Sequence, residues 1–202
     1  MTVRVLLAED QAMVRGAIAA LLKLEGDIEI VAEASRGDEV VSAALQSVPD
    51  VALLDVEMPG GDGLGAAAAL REKLPSCRVI ILTTFGRAGY LKRAMENGAA
   101  GFLLKDAPSS ELAKAIHRVM QGERVVDPDL AAVALSAGDN PLTEREREVL
   151  AASEGGATIE DVAAKLYLSE GTVRNYLSAA IKKLGTRNRV EAARLAEKRG
   201  WL

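Results

Sequence analysis

One cysteine, Cys77, and one histidine, His117, stand in a chain of 202 residues. A single cysteine excludes a disulfide framework and a cysteine-built zinc site. A single histidine argues against a histidine-rich metal centre and a Ser-His-Asp triad. Aromatic residues make up only 3% of the chain, so any core is aliphatic. No run of about 18 apolar residues occurs, so no segment is expected to enter a membrane. Met1 leads directly into Val3–Ala8, an apolar run too short for a secretory signal, and the expected compartment is the cytoplasm. No Gly-x-x-x-x-Gly-Lys cradle is present, so nucleotide binding is not supported. Against these absences stand 49% hydrophobic and 27% charged residues, a balance that excludes a disordered chain and a coiled-coil rod.

The net charge of −4 argues by itself against a nucleic-acid binder, but the charge is unevenly spread. Residues 1–120 carry 13 basic and 16 acidic groups, and residues 121–140 carry 1 and 4. Residues 141–202 reverse the balance, with 11 basic and 9 acidic groups. Within that tail, Ser169 to Arg189 holds five basic residues and one acidic one. A basic segment in an acidic protein suggests a separate polyanion-binding module; a solvated helix face is the plainer alternative.

The first 120 residues alternate short apolar runs with amphipathic stretches. The runs Val3–Ala8, Ile28–Ala34, Val51–Asp55, Val79–Thr83 and Gly101–Lys105 have strand length and are bounded by Asp, Gly, Pro or Ser. The stretches Ala12–Glu25, Asp38–Val48, Leu64–Leu74, Ala88–Asn97 and Ser109–Gln121 predict helices. Five such βα units imply an α/β fold with a parallel sheet between two helical layers. Residues 122–140 are rich in Gly, Pro and Asp and predict a linker, with one short helix near Leu130–Leu135. From Leu142 the pattern is helical: Glu144–Glu154, Ile159–Leu166, Glu170–Leu184 and Arg189–Arg199, the first opened by a Thr143-x-x-Glu146 capping box. The expected domains are therefore 1–121 and 141–202, joined by 122–140.

Parallel sheets place their chemistry at the carboxyl ends of the strands. Those ends carry Glu9 and Asp10, Asp55, Thr83 and Lys105. Neighbouring carboxylates repel one another and call for a cation, and an all-oxygen donor set suits Mg²⁺. Asp55 could then serve as a carboxylate nucleophile forming an acyl phosphate, with Lys105 and Thr83 meeting phosphate oxygens. Solvated acidic caps without a joint role are the alternative for each residue taken singly. A magnesium-dependent phosphatase could use similar chemistry, but its Asp-x-Asp motif would need Asp where Glu57 stands.

Glu9-Asp10, Asp55-Val56-Glu57-Met58-Pro59-Gly60-Gly61-Asp62-Gly63, Thr83 and Phe102-Leu103-Leu104-Lys105 occur in this order and spacing. In this, residues 1–120 resemble the response-regulator receiver domain, which implies a flavodoxin-like (βα)5 fold. The resemblance implies that Asp55 accepts phosphate from a sensor histidine kinase. It implies that Glu9, Asp10, Asp55 and the backbone carbonyl of Glu57 bind Mg²⁺, and that Thr83 and Phe102 form a switch pair beside Lys105. Two positions differ from many receivers: Asp106 replaces a common proline, and Phe102 stands where Tyr is also common.

In the tail, Thr158–Leu184 reads as helix, turn, helix, with Ser169 a suitable N-cap. Val173, Leu177, Ile181 and Leu184 form one stripe of the second helix, and Arg174, Asn175, Ser178 and Lys182 form the other. Such polar groups read base edges and phosphates, and a helix-turn-helix places that face in the major groove. Lys183, Arg187 and Arg189 are expected phosphate contacts. A helical docking or dimerisation module is the competing reading of the same pattern.

Leu142-Thr143-Glu144-Arg145-Glu146-Arg147-Glu148-Val149-Leu150, Leu168-Ser169-Glu170-Gly171-Thr172-Val173-Arg174 and Lys183-Leu184-Gly185 resemble the LuxR-type helix-turn-helix. The whole chain thus resembles the NarL/FixJ class of two-component response regulators, and Thr172–Ser178 is most similar to its DesR-type subgroup. Thr158-Ile159 differs from a frequent Ser-Asn, and Tyr176 from a frequent His. The resemblance implies a regulator rather than an enzyme, at most catalysing its own phosphotransfer and dephosphorylation. It implies DNA contacts from Ser169, Thr172, Arg174, Asn175, Ser178, Lys182, Lys183, Arg187 and Arg189. It also implies a homodimer on double-stranded DNA, promoted by phosphorylation, with RNA polymerase a further candidate partner. His117 is read as a packing or surface residue and Cys77 as inert, neither as a site.

Overall fold

The computed structural model describes residues 2–84, 86–128, 130–132 and 140–202. It divides into two compact units, the first ending at Ala132 and the second running to Leu202.

The first unit is built on a parallel sheet. Its strands are β1 (Val3–Ala8), β2 (Ile28–Ala34), β3 (Val51–Asp55), β4 (Arg78–Thr83), β5 (Gly101–Leu104) and β6 (Val125–Val126), in the order β2-β1-β3-β4-β5-β6. The connecting helices are α1 (Ala12–Lys23), α2 (Gly37–Ser47), α3 (Gly63–Lys73), α4 (Ala88–Glu96) and α5 (Ser109–Met120). Every residue of β3 is buried, as a central strand covered on both faces requires. Alternate strand residues face opposite sides. Val5, Leu7, Leu53, Ile80 and Leu82 join Leu22 of α1 and Ile116 and Val119 of α5 in one core. Leu6, Leu54, Ile81 and Phe102 form the other set and are equally buried. Met120 closes α5 and is 41% exposed.

The sixth strand lies within the stretch expected to be a linker. Val125 and Val126 pair with Gly101 and Phe102 of β5, and the Val125 N–H donates to the Ala100 carbonyl at 2.9 Å. Two residues are too short to show a hydrophobic period, so this strand leaves no readable pattern. The short helix expected around Leu130–Leu135 falls partly outside the described residues, which stop at Ala132 and resume at Asn140.

The second unit is helical. Its elements are α6 (Glu144–Ala152), a 3₁₀ turn (Glu154–Gly156), α7 (Ile159–Leu166), α8 (Glu170–Leu184) and α9 (Arg189–Lys198). Thr143 and Glu146 form a reciprocal capping box that starts α6, and Thr158 with Asp161 does the same for α7. Each box satisfies amides that have no partner inside the helix. Val149, Leu150, Val162, Val173, Leu177, Ala192 and Trp201 share one core. Among the described residues, no helix is long and apolar enough to cross a membrane.

Candidate phosphoacceptor pocket and nucleic-acid face

The strand order reverses direction between β1 and β3, which is where open α/β sheets hold their ligands. Glu9 and Asp10 follow β1 directly, and Asp55 is the last residue of β3. One carboxylate oxygen from each of the three lies within 4.8 Å of the others. Glu9 has no exposed surface, Asp55 is 5% exposed, and Asp10 is open to solvent. Lys105 follows β5, and its backbone N–H donates to the Thr83 carbonyl at 2.9 Å. That anchor carries its ammonium to 2.6 Å from Glu9 Oε2 and 2.8 Å from Asp55 Oδ2.

The charges in the pocket oppose one another. Burial, the strongest influence, pushes the Asp55 carboxyl above the usual carboxylate range, and the Glu9 charge adds to it. The bond and charge of Lys105 and the backbone N–H of Glu57 oppose the rise. Burial also works against the Lys105 ammonium, but its bonds to Asp55 and Glu9 outweigh that and raise its pKa above the ordinary lysine value. Glu9 Oε1 accepts from the Gln11 N–H at 3.3 Å, and the Lys105 ammonium lies 2.6 Å from Oε2. A buried anionic oxygen so placed, in an all-oxygen donor set, fits a hard divalent cation.

Thr83 ends β4, one residue beyond Leu82, the register partner of Asp55, and is buried. Phe102 pairs with Ile81 and has no exposed surface. The structure thus brings the sequence-identified carboxylates and lysine together in one pocket and places Thr83 and Phe102 on the adjoining strands. Sequence reasoning missed the ties that hold the β3–α3 loop. Arg93 Nη2 contacts Asp62 Oδ2 at 3.2 Å, the Tyr90 hydroxyl donates to Glu57 Oε1 at 3.5 Å, and Asn97 Nδ2 donates to the Leu64 carbonyl at 2.8 Å. All three partners come from α4 or its end, and no sequence period signals such contacts.

In the helical unit, Tyr167 closes α7 at φ 55° and Ser169 starts α8, its hydroxyl accepting from the Thr172 N–H at 3.1 Å. Val173 and Leu177 are buried, and Arg174, Asn175, Ser178 and Lys182 are exposed on the other face of α8. Arg174 Nη2 meets Glu170 Oε2 at 2.6 Å within the same helix. Two expected phosphate contacts hold carboxylates: Lys183 bonds Glu146 Oε2 at 2.7 Å, and Arg187 Nε bonds Glu191 Oε1 at 2.9 Å. Arg189 is partly buried at the start of α9. Outside both sites, burial, with the nearby Asp50 charge, pushes the Cys77 thiol up to about 12, which leaves it unreactive. His117 Nε2 stands 3.6 Å from Asp27 Oδ2 at the surface.

Residues 5–117 match the response regulator receiver domain, and residues 140–196 match the bacterial regulatory proteins of the luxR family. The transcriptional regulatory protein YvfU of Bacillus subtilis, itself uncharacterized, is 46% identical over 99% of this chain and 100% of its own length. The transcriptional regulatory protein DesR of the same organism is 44% identical over 98% of each chain. The crystal structure of the response regulator ChrA, from a heme-sensing two-component system, superposes with a TM-score of 0.59 at 35% identity, over 100% of this chain and 99% of that one. The chain belongs to the NarL/FixJ-type response regulators, which join a receiver domain to a luxR-type helix-turn-helix. It is a DNA-binding regulator of transcription.

Proposed function

We propose that Asp55 is the phosphoacceptor through which a sensor histidine kinase controls DNA binding by this chain. The observation that carries this reading is the Lys105 ammonium seated between Glu9 and Asp55, 2.6 and 2.8 Å away, at the switch point of the sheet. Asp55 Oδ attacks the phosphorus of the kinase's phosphohistidine, the P–N bond breaks, and the freed imidazole takes a proton from solvent. Lys105 is within reach of the new phosphoryl oxygens and orients them. Glu9, Asp10, Asp55 and the Glu57 carbonyl would hold Mg²⁺, which supplies neutralisation of charge on the phosphoryl group. The chain's own residues would also catalyse the later loss of the phosphoryl group.

Phosphorylation adds roughly −1.5 to −2 charges and three acceptor oxygens. Thr83 bonds one of those oxygens and Phe102 repacks, which changes the surface around α4, β5 and α5 and promotes a homodimer. Residues 1–121, extended by β6, act as the receiver, the rest of 122–140 as the linker and 141–202 as the DNA-binding domain, in the cytoplasm. Ser169, Thr172, Arg174, Asn175 and Ser178 face base edges and nearby phosphates. Lys182 and Arg189 meet the duplex backbone, and Lys183 and Arg187 exchange their carboxylates for phosphates. RNA polymerase is the partner that would read the bound complex. The test is labelling with acetyl phosphate, followed by DNA titration. Wild type becomes labelled and binds DNA more tightly; Asp55→Asn does neither. Labelling retained in Asp55→Asn overturns the assignment.

A further inference from the structure

We propose that a cleft at the end of the receiver sheet opposite Asp55 binds a small polyanion carrying two adjacent phosphoryl groups. All strands of the sheet run parallel, so the amino ends of β4, β5 and β6 lie together, away from the carboxyl ends that build the acidic pocket. Arg78 is the first residue of β4, Ala100 immediately precedes β5, and Arg124 immediately precedes β6. These residues, with Arg71, Glu96 and Gly98, line a cleft of about 440 Å³. That volume falls in the range of small-molecule sites.

Three guanidinium groups against one carboxylate make this lining cationic, although the receiver as a whole is acidic. Among the described residues, neither Arg78 nor Arg124 forms an ion pair. Arg71 is held in place: Nη1 donates to the Glu96 carbonyl at 3.1 Å. Its stem crosses Gly98, where a β-carbon would stand 2.7 Å from Arg71 Cδ. Gly98 sits at φ 87°, a conformation that favours glycine, so both its backbone and its missing side chain serve this passage. Arg124 is held by β6, whose N–H bond from Val125 to Ala100 fixes the chain at the cleft wall. The two-residue strand thereby has a role beyond extending the sheet.

The lining chemistry identifies the ligand class. Arginine presents a planar fork of donors that matches phosphate oxygens in pairs, and it keeps its charge when partly desolvated. Forks from three separate elements suit a group with several oxygens on two centres better than a single carboxylate. The concave shape and limited volume suit a small molecule, not a duplex or a peptide strand.

Inorganic pyrophosphate is the probe, titrated calorimetrically into the full chain at ~0.15 M salt with EDTA present, so that the acidic pocket holds no metal. The expected result is saturable binding of one molecule per chain, tighter than inorganic phosphate. Arg78→Gln with Arg124→Gln weakens it at least about tenfold, since each removes charge-assisted bonds. Both arginines are exposed, so an unchanged melting temperature without ligand shows that the variant is folded. Asp55→Asn and Lys182→Ala retain wild-type affinity, which separates the cleft from the acidic pocket and the recognition helix. Absence of saturable heat, binding unaffected by the double variant, or loss on Lys182→Ala overturns the proposal. Equal affinity for phosphate and pyrophosphate overturns the two-centre ligand.

Discussion

Gly63 lies so close to the backbone carbonyl of Asp55 that a β-carbon added to it would overlap the carbonyl oxygen. The same glycine donates its N–H to the Val56 carbonyl at 3.1 Å and opens α3. The glycine therefore sets how tightly the β3–α3 loop folds over the end of β3. Gly63→Ala forces the loop outward, with a cost of about 1–3 kcal/mol for overpacking. Acetyl-phosphate labelling of Asp55 slows with it. Gly65→Ala is the control, because its β-carbon would meet only the end of the Asp62 side chain, at 3.0 Å. Urea unfolding and labelling rates of the two variants check this; equal effects would show that the contact does not matter.

Lys105 neutralises two buried carboxylates, and its removal leaves Glu9 buried with an uncompensated charge. Breaking such a pair costs about 3–5 kcal/mol. Lys105→Ala should lower the melting temperature sharply in EDTA. Mg²⁺ in excess should restore more stability to this variant than to wild type, because the competing ammonium is gone. Thermal melts with and without Mg²⁺ decide the matter, and identical Mg²⁺ stabilisation of both proteins would count against the pocket as a cation site.

The pocket was legible because each of its carboxylates closes or follows an aliphatic run, and such runs reveal the strands. Val3–Ala8, Ile28–Ala34 and Val51–Asp55 fold with the bounds their composition predicts, and so do Ile159–Leu166 and Glu170–Leu184. Other helix ends shifted by one or two residues, as fraying ends do. What was not legible depends on distance along the chain. The Lys183–Glu146 bond joins residues 37 apart, and the Arg93–Asp62 bond joins residues 31 apart. Neither leaves a periodic trace. Lys183 on an exposed helix reads as a free cation until the capping box of α6 is brought beside it.

That bond predicts an acid sensitivity confined to the helical unit. Burial alone would raise the Glu146 carboxyl, but Lys183 and the Thr143 amide and hydroxyl outweigh it and hold it below the usual range. A carboxyl with a depressed folded-state pKa stabilises the fold above its unfolded value, about 4.3 for glutamate. The contribution disappears as pH falls below that value and through the folded-state pKa. Lys183→Ala should therefore move acid unfolding of this unit to higher pH. Trp201, the lone tryptophan and 6% exposed, reports on it by fluorescence. An unchanged acid midpoint in Lys183→Ala would remove the ion pair from the account.

Among the described residues, two side chains sit where glycine is favoured. Val48 ends α2 at φ 45°, and Tyr167 ends α7 at φ 55°. A left-handed residue costs roughly 1–2 kcal/mol when it carries a β-carbon, and most when that carbon is branched. Val48 is 56% exposed and Tyr167 is 96% exposed, so little packing is lost on substitution. Val48→Gly and Tyr167→Gly should each raise stability by about 0.5–1 kcal/mol, after allowing for the freer unfolded chain. A lower urea midpoint for either variant would show that the side chain holds its turn by contacts rather than straining it.

On α8 the exposed groups separate into two kinds by position. Arg174, Asn175 and Ser178 lie in the first turns after the N-cap Ser169, whereas Lys182 lies in the last turn. The amino-terminal part of a recognition helix meets base edges, and its far end meets the backbone. Arg174→Ala and Asn175→Ala should relax the choice of sequence, each narrowing the gap between operator and random DNA by about 1–3 kcal/mol. Lys182→Ala should weaken all duplexes about equally and reduce the salt slope of log K by about 1. The Arg174–Glu170 pair is exposed on both sides, so releasing Arg174 to a base costs little. Competition binding with a selected operator and a scrambled duplex, at several salt concentrations, distinguishes the two kinds. Uniform weakening by Arg174→Ala would place that residue on a phosphate instead of a base.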